Sequence, residues 1–98
     1  MITIKRAPAF DAWFESIKDG LTKRRLVARL RKVQLGNFGD VRALGQGVFE
    51  MREHFGPGWR IYYHRRGEAL IVLLSGGSKA TQVADIEKAF KIAEDLED

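Results

Sequence analysis

Between Val48 and Arg66, charged, titratable and aromatic residues recur with a period of two, the spacing of a half-buried strand. Val48, Glu50, Arg52 and His54 fall on one face, and Phe49, Met51, Glu53 and Phe55 on the other. A turn at Phe55-Gly56-Pro57-Gly58 follows, after which Arg60, Tyr62, His64 and Arg66 share a face while Trp59, Ile61 and Tyr63 point away. A hairpin built this way presents Glu50, Arg52, His54, Arg60, Tyr62 and His64 on one surface. Such a surface suits the handling of RNA or of phosphate groups. Further on, Lys79 follows the pair Gly76-Gly77, where the backbone can approach an anion closely.

The elements that must position these groups fit one domain of 98 residues. Its 45% hydrophobic and 31% charged residues are ordinary for a globular chain. Without cysteine there is neither a disulfide framework nor a thiolate metal site, and His54 and His64 show no metal-ligand spacing. No apolar run has signal length or approaches the roughly 20 residues of a membrane span. The expectation is a cytoplasmic protein with no membrane partner, no metal and no small-molecule cofactor. Net charge is +4 but uneven: residues 1–66 carry 14 Lys and Arg against six Asp and Glu, whereas residues 67–98 carry three against seven. The basic part favours a polyanion or an acidic protein partner.

Taken in order, Ile2-Thr3-Ile4 alternates as a short strand. Pro8, Phe10, Trp13, Phe14 and Ile17 predict a helix over about 8–19, closed by Asp19-Gly20. Thr22 is the expected N-cap of a second helix with Leu26, Val27, Leu30 and Val33 on its buried stripe. The other faces of that helix carry Lys23, Arg24, Arg25, Arg29, Arg31 and Lys32. Two readings stand for these cations: a solvated face, or a track for a phosphate backbone. Four glycines between 36 and 47 predict a loop, followed by strands at about 47–54, 59–65 and 68–75. The unbroken run Leu70 to Leu74 predicts an interior strand covered on both faces. Ser78 is placed to cap a last helix with Val83, Ile86, Ala89, Phe90 and Ala93 on its buried stripe, and the acidic tail Glu94 to Asp98 is expected to fray. The result is an α+β domain of order β-α-α-β-β-β-α, in which an N-terminal helical hairpin and a C-terminal helix pack on one side of a small, mainly antiparallel sheet. The opposite face is expected to be free.

This order, with particular residues in place, resembles the RelE/ParE toxin superfamily, and within it the HigB-like or phage-derived addiction-module killer branch. The residues that carry the resemblance are Arg29-Leu30, Gly36-Asn37-Phe38-Gly39-Asp40, Gly47-Val48-Phe49-Glu50-Met51-Arg52, Gly56 to Tyr63, Leu74-Ser75-Gly76-Gly77-Ser78-Lys79, and Gln82 with Asp85-Ile86. The resemblance implies a type II toxin restrained by a small helix-turn-helix antitoxin. RelE- and HigB-like members cut mRNA on the translating ribosome, while ParE-like members inhibit DNA gyrase. A non-catalytic RNA- or protein-binding domain is the third possibility.

Ribosome and mRNA are thus the expected partners, and a metal-independent endoribonuclease the expected activity. Such cleavage needs the ribose 2′-OH deprotonated, the phosphate charge stabilised and the leaving 5′-oxygen protonated. By the resemblance, Arg60 contacts the scissile phosphate, Lys79 is a second phosphate-facing cation, and Arg52 aligns with one of the family's first-strand lysines. The other first-strand lysine position holds Glu50, and the late-helix tyrosine position holds Asp85. Glu50 or His54 then stands as base, and Tyr62 or His64 as acid or stacking group. Arg24, Arg25, Arg29 and Arg31, with His64, are the candidate RNA contacts. The competing structural account makes Glu50, Arg52 and Arg60 a cross-strand ion-pair ladder and Asp85 a first-turn helix acid.

Overall fold

The computed structural model describes residues 1–96. The order is β1 (Thr3–Arg6), α1 (Pro8–Ser16), α2 (Gly20–Gln34), β2 (Val41–Gly45), β3 (Val48–Arg52), β4 (Trp59–Arg65), β5 (Leu70–Ser78) and, after a 3-10 turn at Lys79–Thr81, α3 (Gln82–Asp95). The strands form one sheet in the order β1-β5-β4-β3-β2. β1 runs parallel to β5, and the other neighbours are antiparallel. The domain is α+β with a mainly antiparallel sheet. No helix among the described residues is long and apolar enough to cross a membrane.

Two cores flank the sheet. On one side Phe10, Ile17, Leu26 and Val33 of the helical hairpin meet Met51, Ile61, Tyr63, Ile71 and Leu73. On the other side Ala89, with Ile86, Phe90 and Ala93, covers Val48, Tyr62 and Leu74. The expectation of helices on one side and a free opposite face is therefore corrected: α3 crosses that face. The cause is legible in β5, whose run Leu70 to Leu74 needs apolar cover on both sides. The end of the face that carries Arg60 lies beyond the start of α3 and opens on a cleft.

The glycine-rich stretch after α2 hides a strand. β2 pairs with β3 through a tight link in which Gly45, Gln46 and Gly47 all have positive φ (101°, 54° and 78°). The glycines that read as loop are thus hairpin punctuation. Asp19, not Thr22, caps α2: its carboxylate accepts from the Leu21 N–H at 3.3 Å and the Thr22 hydroxyl at 2.8 Å. Val27 and Val83, both expected on buried stripes, are 37% and 77% exposed. Glu94 and Asp95 belong to α3, while the last two residues of the acidic tail lie outside the described residues.

Gly76 and Gly77 are not a loop but buried strand residues, opposite Ile61 and Arg60. A Cβ at Gly76 would collide with the Trp13 indole on one face, and one at Gly77 with the Asp85 carboxylate on the other. Their lack of side chains lets α1 and α3 close on the two faces of one strand.

Candidate functional site

The β3–β4 register sets Arg52 opposite Arg60, Glu50 opposite Tyr62, and Val48 opposite His64. These groups share a face, but α3 divides the row. Glu50 and Tyr62 lie beneath the helix with no exposure. The Glu50 carboxylate accepts from Gln82 Nε2 at 2.8 Å and from the Tyr62 hydroxyl at 3.3 Å, and its other oxygen faces Arg42 Nε at 3.5 Å. Burial, and then the negative charges of Glu50 and Asp85, push the Tyr62 hydroxyl well above the ordinary tyrosine range. Glu50 therefore ties β2, β4 and α3 together, and neither it nor Tyr62 is exposed at the surface. His64 packs against Gly47, with its Nδ1 buried and without a partner among the described residues. It stands four residues along β4 from Arg60, about 13 Å at strand rise, and so does not join the cationic end.

At the accessible end, Arg60 is only 7% exposed, yet among the described residues no carboxylate lies within ion-pair distance of its guanidinium. Its Nη1 makes only long contacts, 3.4 Å each, to the carbonyls of Gly58 and Trp59, and its Nε has no partner. Lys79 projects from the 3-10 turn, exposed and likewise without an ion-pair partner among the described residues. Gly58, at φ +77°, sits between the two: a Cβ there would lie 3.3 Å from Lys79 Cβ and 3.6 Å from Arg60 Nη1. Together with His54, Gly56 and Pro57 these residues line an open cleft of about 380 Å³.

A second cleft, of about 490 Å³, adjoins it between α2 and the end of β3, lined in part by Arg25, Lys32, Arg52 and Phe55. His54 lines both clefts. Asp40 lines the second cleft; it accepts from Arg52 Nη2 at 2.9 Å and contacts His54 Nε2 at 2.6 Å. These two bonds, Arg52's first, hold the Asp40 carboxyl well below its usual range, at about 2, and the carboxylate in turn raises the Arg52 guanidinium. The ion pairs of β3 thus run to β2 and to the loop before it, not across to Arg60. Asp40 was missed as a site residue because a Gly-Asp before a strand does not say what it will pair with.

Residues 12–96 match the family described as phage derived protein Gp49-like (DUF891). An uncharacterized protein of Haemophilus influenzae is 39% identical over 95 residues, covering 97% of this chain and 96% of its own. The chain belongs to the Gp49-like family. A copper-bound mutant toxin from Helicobacter pylori shares its fold, with a TM-score of 0.55 at 16% identity over 82% of this chain and 97% of that one. The phage-derived character that the sequence suggested agrees with this family, and the fold agrees with that of a toxin.

In this Gp49-like domain the cations of α2 serve two different ends. Arg29 has a guanidinium with five N–H donors, and all five are used. Nε and Nη2 donate to the Phe38 carbonyl at 3.2 and 2.7 Å, Nη2 to the Asp40 carbonyl at 3.1 Å, and Nη1 to the Arg52 carbonyl at 2.9 Å and to the Glu53 carboxylate. Arg29, expected among the RNA contacts, clamps α2, the loop before β2 and the end of β3 with every donor engaged. Arg25 lies over the Phe55 ring, 4.6 Å from its centroid. Arg24 and Arg31 are exposed.

Proposed function

We propose that this Gp49-like protein is the toxin of a type II toxin-antitoxin module and cuts mRNA on the ribosome, with an RNA phosphate held between Arg60 and Lys79. One observation carries the reading. Arg60 is a buried guanidinium without a carboxylate among the described residues, and its charge is costly to keep there unless an anion meets it. The cleft it opens into supplies a second cation, unpaired among the described residues, and, in His54, a side chain with both a proton to give and a lone pair to accept one. Arg52 extends the positive border toward the second cleft. The phosphate's developing charge would be met by fixed cations already in place. Glu50 and Tyr62 contribute by fixing the strand that carries Arg60, not by proton transfer.

In a translation reaction with purified ribosomes, primer extension on the message is expected to show new stops that depend on both toxin and ribosomes. Intact message together with gyrase-mediated DNA breaks would overturn the reading in favour of gyrase inhibition. Binding of the purified protein to RNA without cleavage would leave only a binding domain.

Docking on ribosomal RNA falls to the outer face of α2, where Arg24, Arg25 and Arg31 are exposed. Changing all three to glutamine is expected to lower the slope of log affinity against log salt by about two to three, because each phosphate contact contributes about 0.7–0.9. Ribosome binding unchanged across a salt titration would make them merely solvating charges. The antitoxin partner implied by the family type would restrain the toxin, and a small helix-turn-helix gene in the same operon is the feature to look for.

A further inference from the structure

We infer that Asp40 is a positioning residue that fixes the His54 imidazole for proton transfer at the ribose 2′-hydroxyl of RNA held in the Arg60–Lys79 cleft. This rests on the RNA-cleaving reading and assigns its general base. The geometry has three parts. His54 Nε2 lies 2.6 Å from Asp40 Oδ2, so a carboxylate takes up one side of the ring. With that carboxylate accepting, Nε2 carries the ring proton of the neutral imidazole and Nδ1 offers its lone pair. Nδ1 has no partner among the described residues, and the His54 side chain is 71% exposed at the junction of the two clefts.

Asp40 is itself held from three sides. Arg52 Nη2 binds its other carboxylate oxygen at 2.9 Å, its carbonyl accepts from the Arg52 N–H at 3.0 Å, and Arg29 grips the same carbonyl. A group so fixed can hold an exposed imidazole in one orientation, which a free surface histidine lacks. The Asp40 carboxyl, held at about 2, stays ionised through the whole range in which a histidine works.

The step balances without an added reagent. His54 Nδ1 takes the 2′-hydroxyl proton as the 2′-oxygen bonds to phosphorus. The bond from phosphorus to the 5′-oxygen breaks, and solvent returns a proton to that leaving oxygen. The products are a 2′,3′-cyclic phosphate and a 5′-hydroxyl. The imidazolium formed in between is stabilised by Asp40. The other charged groups facing His54 are Arg25, Arg29, Lys32, Arg52 and Glu53 across one cleft, and Arg60 and Lys79 across the other.

The test is ribosomal mRNA cleavage by the full chain and four variants, with kcat and KM separated and melting temperatures measured alongside. His54→Ala is expected to lose about 100-fold or more, the usual contribution of a positioned base. Asp40→Asn should lose a large part of that in kcat with KM little changed, and Asp40→Glu, which keeps a carboxylate, should restore part of it. Arg52→Gln keeps the carboxylate beside His54 and should lose less than Asp40→Asn. Full-rate cleavage by Asp40→Asn, or a loss that Asp40→Glu does not relieve, would overturn the inference and leave RNA cleavage standing. A wild-type protein that cuts no message at any pH would remove the RNA-cleaving reading and this inference with it.

Discussion

Arg60→Met is expected to abolish growth arrest while leaving the protein at least as stable as the wild type. The two effects have one cause. Among the described residues, Arg60 keeps a nearly buried charge with no carboxylate beside it and no partner on Nε. Methionine fills similar space and removes the uncompensated charge, a kind of change that is often neutral or stabilising by about 1–4 kcal/mol in comparable buried sites. The same change removes the fixed donor that would face the phosphate, and loss of one such donor typically costs about 100- to 1,000-fold in rate. Calorimetry and induced expression check the two halves separately. A large fall in melting temperature would make Arg60 a structural residue, and a toxic Arg60→Met strain would empty the cleft of its function.

Arg29→Met should do the reverse, and destabilise the domain severely whatever its effect on activity. The substitution strips partners from the carbonyls of Phe38, Asp40 and Arg52 and from the Glu53 carboxylate at once. Breaking a partly buried charge network of this kind costs about 3–5 kcal/mol, against the roughly 5–15 kcal/mol that hold a typical domain together. At about 4–8 °C per kcal/mol for a chain this short, the melting temperature should fall by at least about 12 °C. Arg29→Lys should rescue little, since an ammonium has three donors and no planar fork. A melting temperature within a few degrees of wild type would show the five bonds to be weak in solution.

The contrast between Arg29 and its neighbours shows where the sequence was legible and where it was not. Arg24, Arg25, Arg29 and Arg31 are chemically alike, and composition alone treats them as one basic helix. Helical spacing separates them: Arg29 stands three residues after Leu26 and four before Val33, on the stripe that is buried. That signal was present and outweighed by charge. The hairpin face was readable because a period of two survives any register that keeps the turn. The cover over Glu50 and Tyr62 was also foreshadowed, since a strand apolar on both sides needs two layers, but which helix supplies the second layer is a matter of topology. β2 escaped because its punctuation is glycine on both sides. Asp40 escaped because its partners lie 12 and 14 residues away across a turn, where sequence spacing carries no angular information.

If an RNA phosphate reacts between Arg60 and Lys79 with its own ribose as nucleophile, the new ends on mRNA recovered from toxin-treated ribosomes must carry the signature of that attack. The expected result is a 2′,3′-cyclic phosphate on the upstream fragment and a 5′-hydroxyl on the downstream one, both missing when Arg60→Met replaces the wild type. A 3′-hydroxyl facing a 5′-phosphate would mean that water, not the ribose, attacks, and would contradict it.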